Sequence, residues 1–486
     1  TTACAAPPLA DEQWVGRNAA MDTPGIEALK AALPPKAWTQ DADIIAPHLT
    51  EWRDKYFGTT PILLTPGSTE EVATALRVCA QHGLPIVPQG GNTGLVGGQT
   101  PQGEVLLSLK RMTAIREVNP VADALTVEAG ATLHAVQQAA EAVDRKFPLT
   151  LSSEGSCTVG GVLSTNAGGN HVLKYGTTKD LVFGVEAVLA DGQVFNGLTT
   201  LRKDNTGYDL SRLFLGAEGT LGIITAATLK LFPQPGHVSR VMLGVGSVAD
   251  AVALLTRLRG PSLAMFEVLP RIGLSAVVDN FDNERDPFPD AHPWYVLADF
   301  EVETAEQGEA LIMTLLEDAM EAGLVRDAVL AQSETQFRAL GSIREHMSAG
   351  QKFLGGSIKQ DITVPIDRIP DFFSRADAAV ERIVPGCRPV GFGHFGDGNI
   401  HYNIAQPASA DMDADKAAFL ARWDDISEAV FDIVNALGGS ISAEHGIGIM
   451  KRDTLARRAD PVKMDLLRRV KRAMDPEGIL NPRVMV

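Results

Sequence analysis

The run Leu84-Pro85-Ile86-Val87-Pro88-Gln89-Gly90-Gly91-Asn92-Thr93-Gly94-Leu95-Val96-Gly97-Gly98 passes from a short apolar strand straight into a glycine-rich turn. Glycine reaches φ > 0 without steric cost, so successive backbone N–H groups can converge on one point. Such concave arrays bind phosphate without a lysine. Upstream, Thr65-Pro66-Gly67-Ser68-Thr69-Glu70-Glu71-Val72 reads as a strand end, a turn and a capped helix. Ser68 or Thr69 caps it, with carboxylates in the first turn. The helix runs to about His82, and Gly83 ends it.

Further out, strands are expected at 104–109, 115–119 and 124–128, then a helix at 133–143. A second glycine-rich stretch spans Ser153 to Asn170, and strands 181–189 and 193–196 flank the turn Ala190-Asp191-Gly192. A third, Gly216-Ala217-Glu218-Gly219-Thr220-Leu221-Gly222, leads into a strand at 225–232. None is GxGxxG in a Rossmann setting or GxxxxGK[ST], which argues against a classical NAD site and a P-loop ATPase. One such loop could merely turn the chain. Three in one β/α region predict a large phosphate-bearing cofactor.

Pro233-Gln234-Pro235-Gly236 marks a domain boundary. Beyond it the pattern predicts strand 238–245, helix 248–258, strand 263–268, helices 304–322 and 333–350, strand 357–364 and helix 367–382. A long helix follows from about Asp413 to Leu437. This order suggests an antiparallel sheet covered by helices. Before the cofactor region, residues 10 to 57 read as helical, broken at Pro34-Pro35. The expected class is α+β. Residues 1–40 are expected to form a leader and N-terminal helices, 41–235 a cofactor domain, 236–410 a substrate domain, and 411–486 a helical region.

Gly393-His394-Phe395-Gly396-Asp397-Gly398-Asn399-Ile400-His401-Tyr402-Asn403 reads as a hairpin turning at Asp397-Gly398. That turn sets His394 opposite His401, with Cβ atoms roughly 5 Å apart. Asn403 shares the His401 face. Glu444, from Ser442-Ala443-Glu444-His445-Gly446, can complete a two-histidine, one-carboxylate set. Three protein ligands leave a position open for substrate, the pattern of a catalytic zinc. Manganese, cobalt or iron suit the same ligands. Arg344 and Ser348 lie four apart on a helix and so share a face. Lys359, Asp361 and Thr363 alternate along a strand, and Arg344 and Lys359 can converge on an anion.

The chain has 486 residues and a net charge of −17. The charge argues against nucleic acid and anionic lipid as partners. It does not forbid an anionic substrate, since a few buried cations dominate a site locally. No window is apolar enough for a transmembrane helix. Cys4, Cys79, Cys157 and Cys387 are widely spaced and form no CxxC, so they read as free thiols in a reducing compartment, taken here as the cytoplasm. The first eight residues lack signal-peptide features and read as a disordered leader.

The three glycine segments resemble the FAD-binding domain of the vanillyl-alcohol-oxidase/PCMH flavoproteins. The hairpin, Ser442 to Gly446 and Gly478-Ile479-Leu480-Asn481-Pro482 resemble the D-2-hydroxyacid dehydrogenase branch, which includes D-2-hydroxyglutarate dehydrogenase, D-lactate dehydrogenase and the glycolate oxidase flavoprotein subunit. The resemblance spans roughly residues 40 to 486, and it implies two subdomains within 41–235 and a share of the active site for 411–486. It implies FAD held by Pro88, Gly90, Gly91, Asn92, Thr93 and Gly94, then by Gly155, Thr158, Gly160, Gly161, Ser164, Asn166, Gly168 and Gly169. Glu218, Gly219, Ile223 and Asn481 complete that set. Residues 88–101 contain no histidine, so FAD is expected to be noncovalent, with His171 the remaining candidate for attachment.

The resemblance further implies metal at His394, His401 and Glu444, and His445 as general base. Asn403 orients the substrate, and Arg344, Ser348 and Lys359 hold a distal carboxylate. Ser348 departs from the family's Thr. Lys359 favours a dicarboxylate, so the expected reaction is oxidation of D-2-hydroxyglutarate to 2-oxoglutarate. The rivals are D-lactate or D-malate, a zinc-dependent hydrolase and a nonenzymatic flavin module. Electrons would pass to an acceptor such as an electron-transfer flavoprotein or a quinone, and a homodimer is among the expectations.

Overall fold

The structure, a computed structural model, describes residues 23–486. The expected leader, Cys4 and the start of the helical stretch at residue 10 lie outside the described residues. The rest of that stretch is not one broken helix. It comprises helices Thr23–Ala32 and Ala42–Leu49, a short strand Trp38–Thr39, and a loop closed by a bridge between Thr50 and Phe57.

The first glycine turn follows strand Ile86–Gln89, which pairs in parallel with Val105–Ser108, itself parallel to Leu63–Leu64. Helix Thr69–His82 covers this sheet. It starts where the Ser68 side chain accepts from the Glu71 N–H at 3.2 Å. It ends at Gly83, whose φ of 60° closes the helix with bonds to Cys79 and Ala80 carbonyls. Its buried face, Val72, Ala73, Ala75, Leu76, Val78 and Cys79, packs onto the strands.

A second, antiparallel sheet runs in the order 115–119, 124–128, 223–230, 182–188, 194–196. The second glycine segment lies in the connection between strands 124–128 and 182–188, and the third leads into the central strand 223–230. The two sheets form the two subdomains expected for the cofactor region.

The third sheet, all antiparallel, has the order Leu263–Pro270, Trp294–Val302, His237–Val245, Val325–Leu330. Sequence analysis missed its strand 294–302, because Asp299 and Glu301 interrupt the apolar run. Both are buried and paired. Arg240 grips Asp299 with two bonds of 2.7 Å, and Glu301 accepts from Lys146, Lys174 and Tyr175. Strand 325–330 and helix Arg271–Val278 were also not foreseen.

In the fourth sheet, strand Asn399–Ala405 is flanked by Arg388–Phe392 on one side and by 357–358 and 361–363 on the other. The expected strand 357–364 lapses at Lys359 and Gln360. The register is kept, with Ile358 opposite Ile404 and Asp361 opposite His401. Gln360 turns away to the buried Ser427 hydroxyl.

The expected helix 413–437 is two helices, Met412–Leu420 and Trp423–Ala436. No Pro or Gly marks the break. The turn at Ala421-Arg422 lets Phe419 and Trp423 both reach the same core. After helix Pro461–Met474 the chain returns to the first sheet. Ile86 N–H donates to Ile479 O at 2.8 Å, and Ile479 and Leu480 join that sheet's core.

Candidate active site

The hairpin differs in register from the sequence expectation. Phe392, not His394, lies opposite His401. The reason is Gly393, whose φ of 135° takes the chain out of the hairpin to bridge Val268 through two 3.0 Å bonds. Gly393 thereby joins the third and fourth sheets. The residues 394–398 fold back as a wide turn anchored by fully buried Phe395. The two imidazoles still meet, with centroids 5.4 Å apart and planes nearly perpendicular.

The same bridge sets Glu267 beside the turn. Glu267 is fully buried, and it accepts from His394 Nδ1 through Oε1 and from Arg344 Nε through Oε2 at 2.5 Å. Burial would raise its pKa, but the neighbouring Arg344 and His394 charges hold it well below the usual carboxylate range. Burial likewise disfavours a charged His394, yet contact with Glu267 outweighs it and raises its pKa to about 9. Glu267 was not foreseen. Its signal is a lone carboxylate in the all-buried strand Leu-Ala-Met-Phe-Glu-Val-Leu-Pro.

Glu444 and His445 sit on a loop held by another buried carboxylate, Asp361. Its Oδ2 accepts from the backbone N–H groups of Ala443, Glu444 and His445 at 3.2, 3.1 and 2.9 Å. Its Oδ1 accepts from Asn399 at 3.0 Å. Buried Lys451 completes the clamp, donating to the Asp361 and Ile441 carbonyls. Sequence analysis put Asp361 on the polar face but gave it no role, and passed over Lys451.

Glu444 Oε1 lies 3.5 Å from His401 Nε2, and its Oε2 lies 4.0 Å from His394 Nε2. The far nitrogens face carboxylates: His394 Nδ1 meets Glu267, and His401 Nδ1 is 4.0 Å from Asp361. A ligating imidazole in metal centres is held in this way by a carboxylate on its other nitrogen. The donor set of His394, His401 and Glu444 therefore fits a divalent ion. A tighter group, Asp361, His401, Glu444 and His445, has donor atoms within 4.8 Å of one another. Asp361 is a poor ligand there, because four N–H groups already occupy its oxygens. Burial pushes the Glu444 pKa up to about 7 and that of His445 down to about 4, and it also lowers that of His401. Neutral imidazole is the form that offers a lone pair.

The other expected substrate residues border this cluster. Asn403 follows His401 by two, is buried, and donates to Gln351 at 2.9 Å. The unbroken register sets Lys359 across from Asn403. Burial, then the Arg53 and Lys352 charges, lower the Lys359 pKa to about 8. Arg344 lies 5.1 Å over the Phe392 ring. Ser348 is exposed on its helix.

The three glycine segments converge on one cradle. A Cβ at Gly90 or Gly91 would collide with Thr158 Oγ1 or Ser156 O, and one at Gly219 with Pro88. Ser164 O accepts from Glu218 N–H at 2.8 Å. Asn481 donates to Gly98 O and Glu218 O at 3.0 and 2.8 Å, tying the first segment to the third. Thr93, Gly94, Gly155, Gly160, Gly161, Asn166 and Gly169 lie along these segments, and Ile223 is buried in the strand after the third. The Glu218 carboxylate accepts from Ile447 and Gly448 N–H groups at 2.7 and 2.8 Å, so it also binds the cradle to the Glu444 loop.

Asn92 Oδ1 and Thr158 Oγ1 are buried without a hydrogen-bond partner. Buried polar atoms are normally paired, so two orphans on facing glycine loops fit a polar cofactor such as FAD. His171 Nδ1 is a third orphan at the end of the second segment. The cradle and the metal donors share a wall: a Cβ at Gly168 would sit 3.1 Å from Glu444 Oε2.

The families and relatives that this chain matches define an FAD-dependent dehydrogenase. Residues 60–197 match the FAD binding domain family, and residues 234–485 match the family of FAD linked oxidases, C-terminal domain. Mitochondrial D-2-hydroxyglutarate dehydrogenase of Bos taurus is 36% identical over 479 residues, covering 95% of this chain and 83% of the relative. A Saccharomyces cerevisiae relative named D-2-hydroxyglutarate–pyruvate transhydrogenase is 32% identical, covering 91% of this chain and 90% of the relative. The fold of p-cresol methylhydroxylase superposes with a TM-score of 0.72 at 18% identity, covering 98% of each chain. The chain belongs to the D-2-hydroxyglutarate dehydrogenase family of FAD-linked oxidoreductases. The expected cytoplasmic placement is corrected: the relatives from Bos taurus, Danio rerio and Arabidopsis thaliana are all named mitochondrial. Free thiols signal a reducing compartment without saying which one. No helix among the described residues is long and apolar enough to cross a membrane.

Proposed function

We propose that the chain oxidises D-2-hydroxyglutarate to 2-oxoglutarate. The observation that carries this reading is the shared wall at Gly168 and Glu444, where the flavin cradle meets the metal donors. Bound FAD would supply a two-electron acceptor of hydride, the N5 chemistry of flavins, and a divalent ion, zinc in the first instance, would supply Lewis acidity toward the substrate hydroxyl. His394, His401 and Glu444 would hold that ion. His445, beside Glu444, takes the hydroxyl proton. Asn403 orients the α-hydroxy acid end. Lys359 and Arg344 face the second carboxylate, with Ser348 one helical turn beyond Arg344.

Loss of one proton and one hydride from the hydroxy acid leaves the 2-oxo acid, and the two electrons would leave to a separate acceptor. An electron-transfer flavoprotein or a quinone suits that role. The name of the yeast relative adds pyruvate.

The test is anaerobic mixing of the purified holoenzyme with D- and L-2-hydroxyglutarate, D-malate and D-lactate while flavin absorbance is followed. The D-diacid should bleach the flavin fastest, with D-malate next. Fastest bleaching by D-lactate would replace this reading with the monocarboxylate one. A colourless protein that hydrolyses esters or amides would point to a metal hydrolase instead.

A further inference from the structure

The loop Thr50–Phe57 reaches across the molecule to this site. Its ends are joined by the Thr50–Phe57 bridge, and the Glu51 carboxylate, 1% exposed, accepts from the Arg53 and Lys55 N–H groups at 3.0 and 3.3 Å. Three separate parts of the protein hold it. Asn92 of the first glycine segment donates to Thr50 O at 2.9 Å. Lys55 Nζ sits 4.0 Å over the Trp423 ring, and Lys352 Nζ 6.0 Å from the Trp52 ring.

Trp52 and Lys55 are thus engaged. Arg53 is not: its half-buried guanidinium makes no hydrogen bond or ion pair among the described residues. It lies within electrostatic reach of the Glu51 and Asp361 carboxylates, and of Lys359 and Lys451, whose pKa values it lowers. Lys359 also has no hydrogen-bond or ion-pair partner among the described residues. The contacts of the loop with Lys352 and with Trp423, whose helix holds Gln360 through Ser427, seat Arg53 on the side of Lys359. Two cations without a direct ion pair in a partly desolvated place oppose each other. An anion bound between them removes that cost. Arg344 is differently placed, since buried Glu267 already neutralises it.

We infer that Arg53 is a specificity-determining residue, which with Lys359 binds the distal carboxylate of the substrate from a loop outside the substrate domain. The inference rests on the dicarboxylate reading and adds to it a second cation that no carboxylate among the described residues pairs directly.

The experiment uses the FAD-loaded, full chain with Arg53→Ala and Arg53→Lys. Binding of glutarate, which has both carboxylates but no hydroxyl, is followed by its perturbation of the flavin spectrum, and kcat and KM are measured on D-2-hydroxyglutarate and D-lactate. Arg53→Ala should weaken glutarate binding and raise KM for the diacid by about 30-fold or more. Its kcat at saturation and its kcat/KM for D-lactate should stay within about threefold, and Arg53→Lys should recover part of the loss. Unchanged glutarate binding in a wild type that prefers the diacid overturns the Arg53 assignment alone, as does an equal loss on both acids. A wild type that prefers D-lactate overturns the dicarboxylate reading and this assignment with it. Should Arg53→Ala fail to hold FAD, Arg53→Gln, which keeps the chain length, is judged by the same criteria.

Discussion

His394 and His401 reach one point from different local structures, a wide turn and a strand, and each is backed by a buried carboxylate. Losing one of three ligands should weaken the ion severely. His401→Ala should therefore behave like chelated wild type: FAD retained, turnover lost, and activity restored by added zinc in the wild type alone. Metal analysis alongside turnover checks this, and full activity in verified metal-free protein would remove the ion from the mechanism. His445→Asn keeps much of the side-chain shape but cannot accept the proton. Flavin reduction should slow by roughly 100- to 10,000-fold with FAD and metal retained, as read by stopped-flow absorbance. Reduction at the wild-type rate would move the base elsewhere. The cluster was legible in the sequence because His394, His401, Glu444 and His445 stand in two short, polar, glycine-flanked runs, and the structure brings them together. Glu267 and Asp361 were not. Their roles depend on partners 127 and 84 residues away, and a buried carboxylate announces itself only once its partners are known.

Capped helices were readable because their signals are local. Ser68, Thr132, Ser247, Thr304 and Ser333 each cap a helix through a backbone N–H three residues on. Hairpin register was not readable, since Gly393 answers to a strand of another sheet. Strand 294–302 was hidden by the charges that lock it in place. Glu301 on that strand accepts from Lys146, Lys174 and Tyr175 of the cofactor domain at 2.6, 2.6 and 2.5 Å, and its side chain is 4% exposed. Burial opposes its charge, but these three partners depress its pKa from 4.5 to about 2. A depressed carboxylate stabilises the fold above its unfolded pKa and loses that contribution as pH falls through the folded value. Glu301→Gln strands two lysines, so it should cost about 3 kcal/mol at pH 7. The difference from wild type should shrink steadily as pH falls from 4.5 towards 2. Urea unfolding of both proteins across that range measures it, and a pH-independent gap would show that the lock is not ionic.

At the scale of the molecule, the cofactor cradle is assembled from three glycine segments and a fourth piece, Ile479 to Asn481. The backbone supplies the cradle, and no histidine lies among residues 88–101. FAD should therefore leave with denaturation: acid-precipitated protein should be white over a yellow supernatant. Colour retained in the pellet would point to His171, the histidine at the end of the second segment. The change in element order on either side of Pro-Gln-Pro-Gly was visible in the sequence. The return of the chain to the first sheet was not visible, because the Gly478 to Pro482 motif carries no sign of which surface it meets.

That return imposes an order in time. Asn481 ties down Gly98 across 383 residues of chain, and ribosomes add roughly 5–20 residues each second, so the first glycine turn waits on the order of 20 to 80 seconds for its last clamp. Throughout that interval the edge at Ile86 is uncovered on the nascent chain. The first glycine turn, made early, is finished late, and the cradle closes only after Asn481 has been delivered.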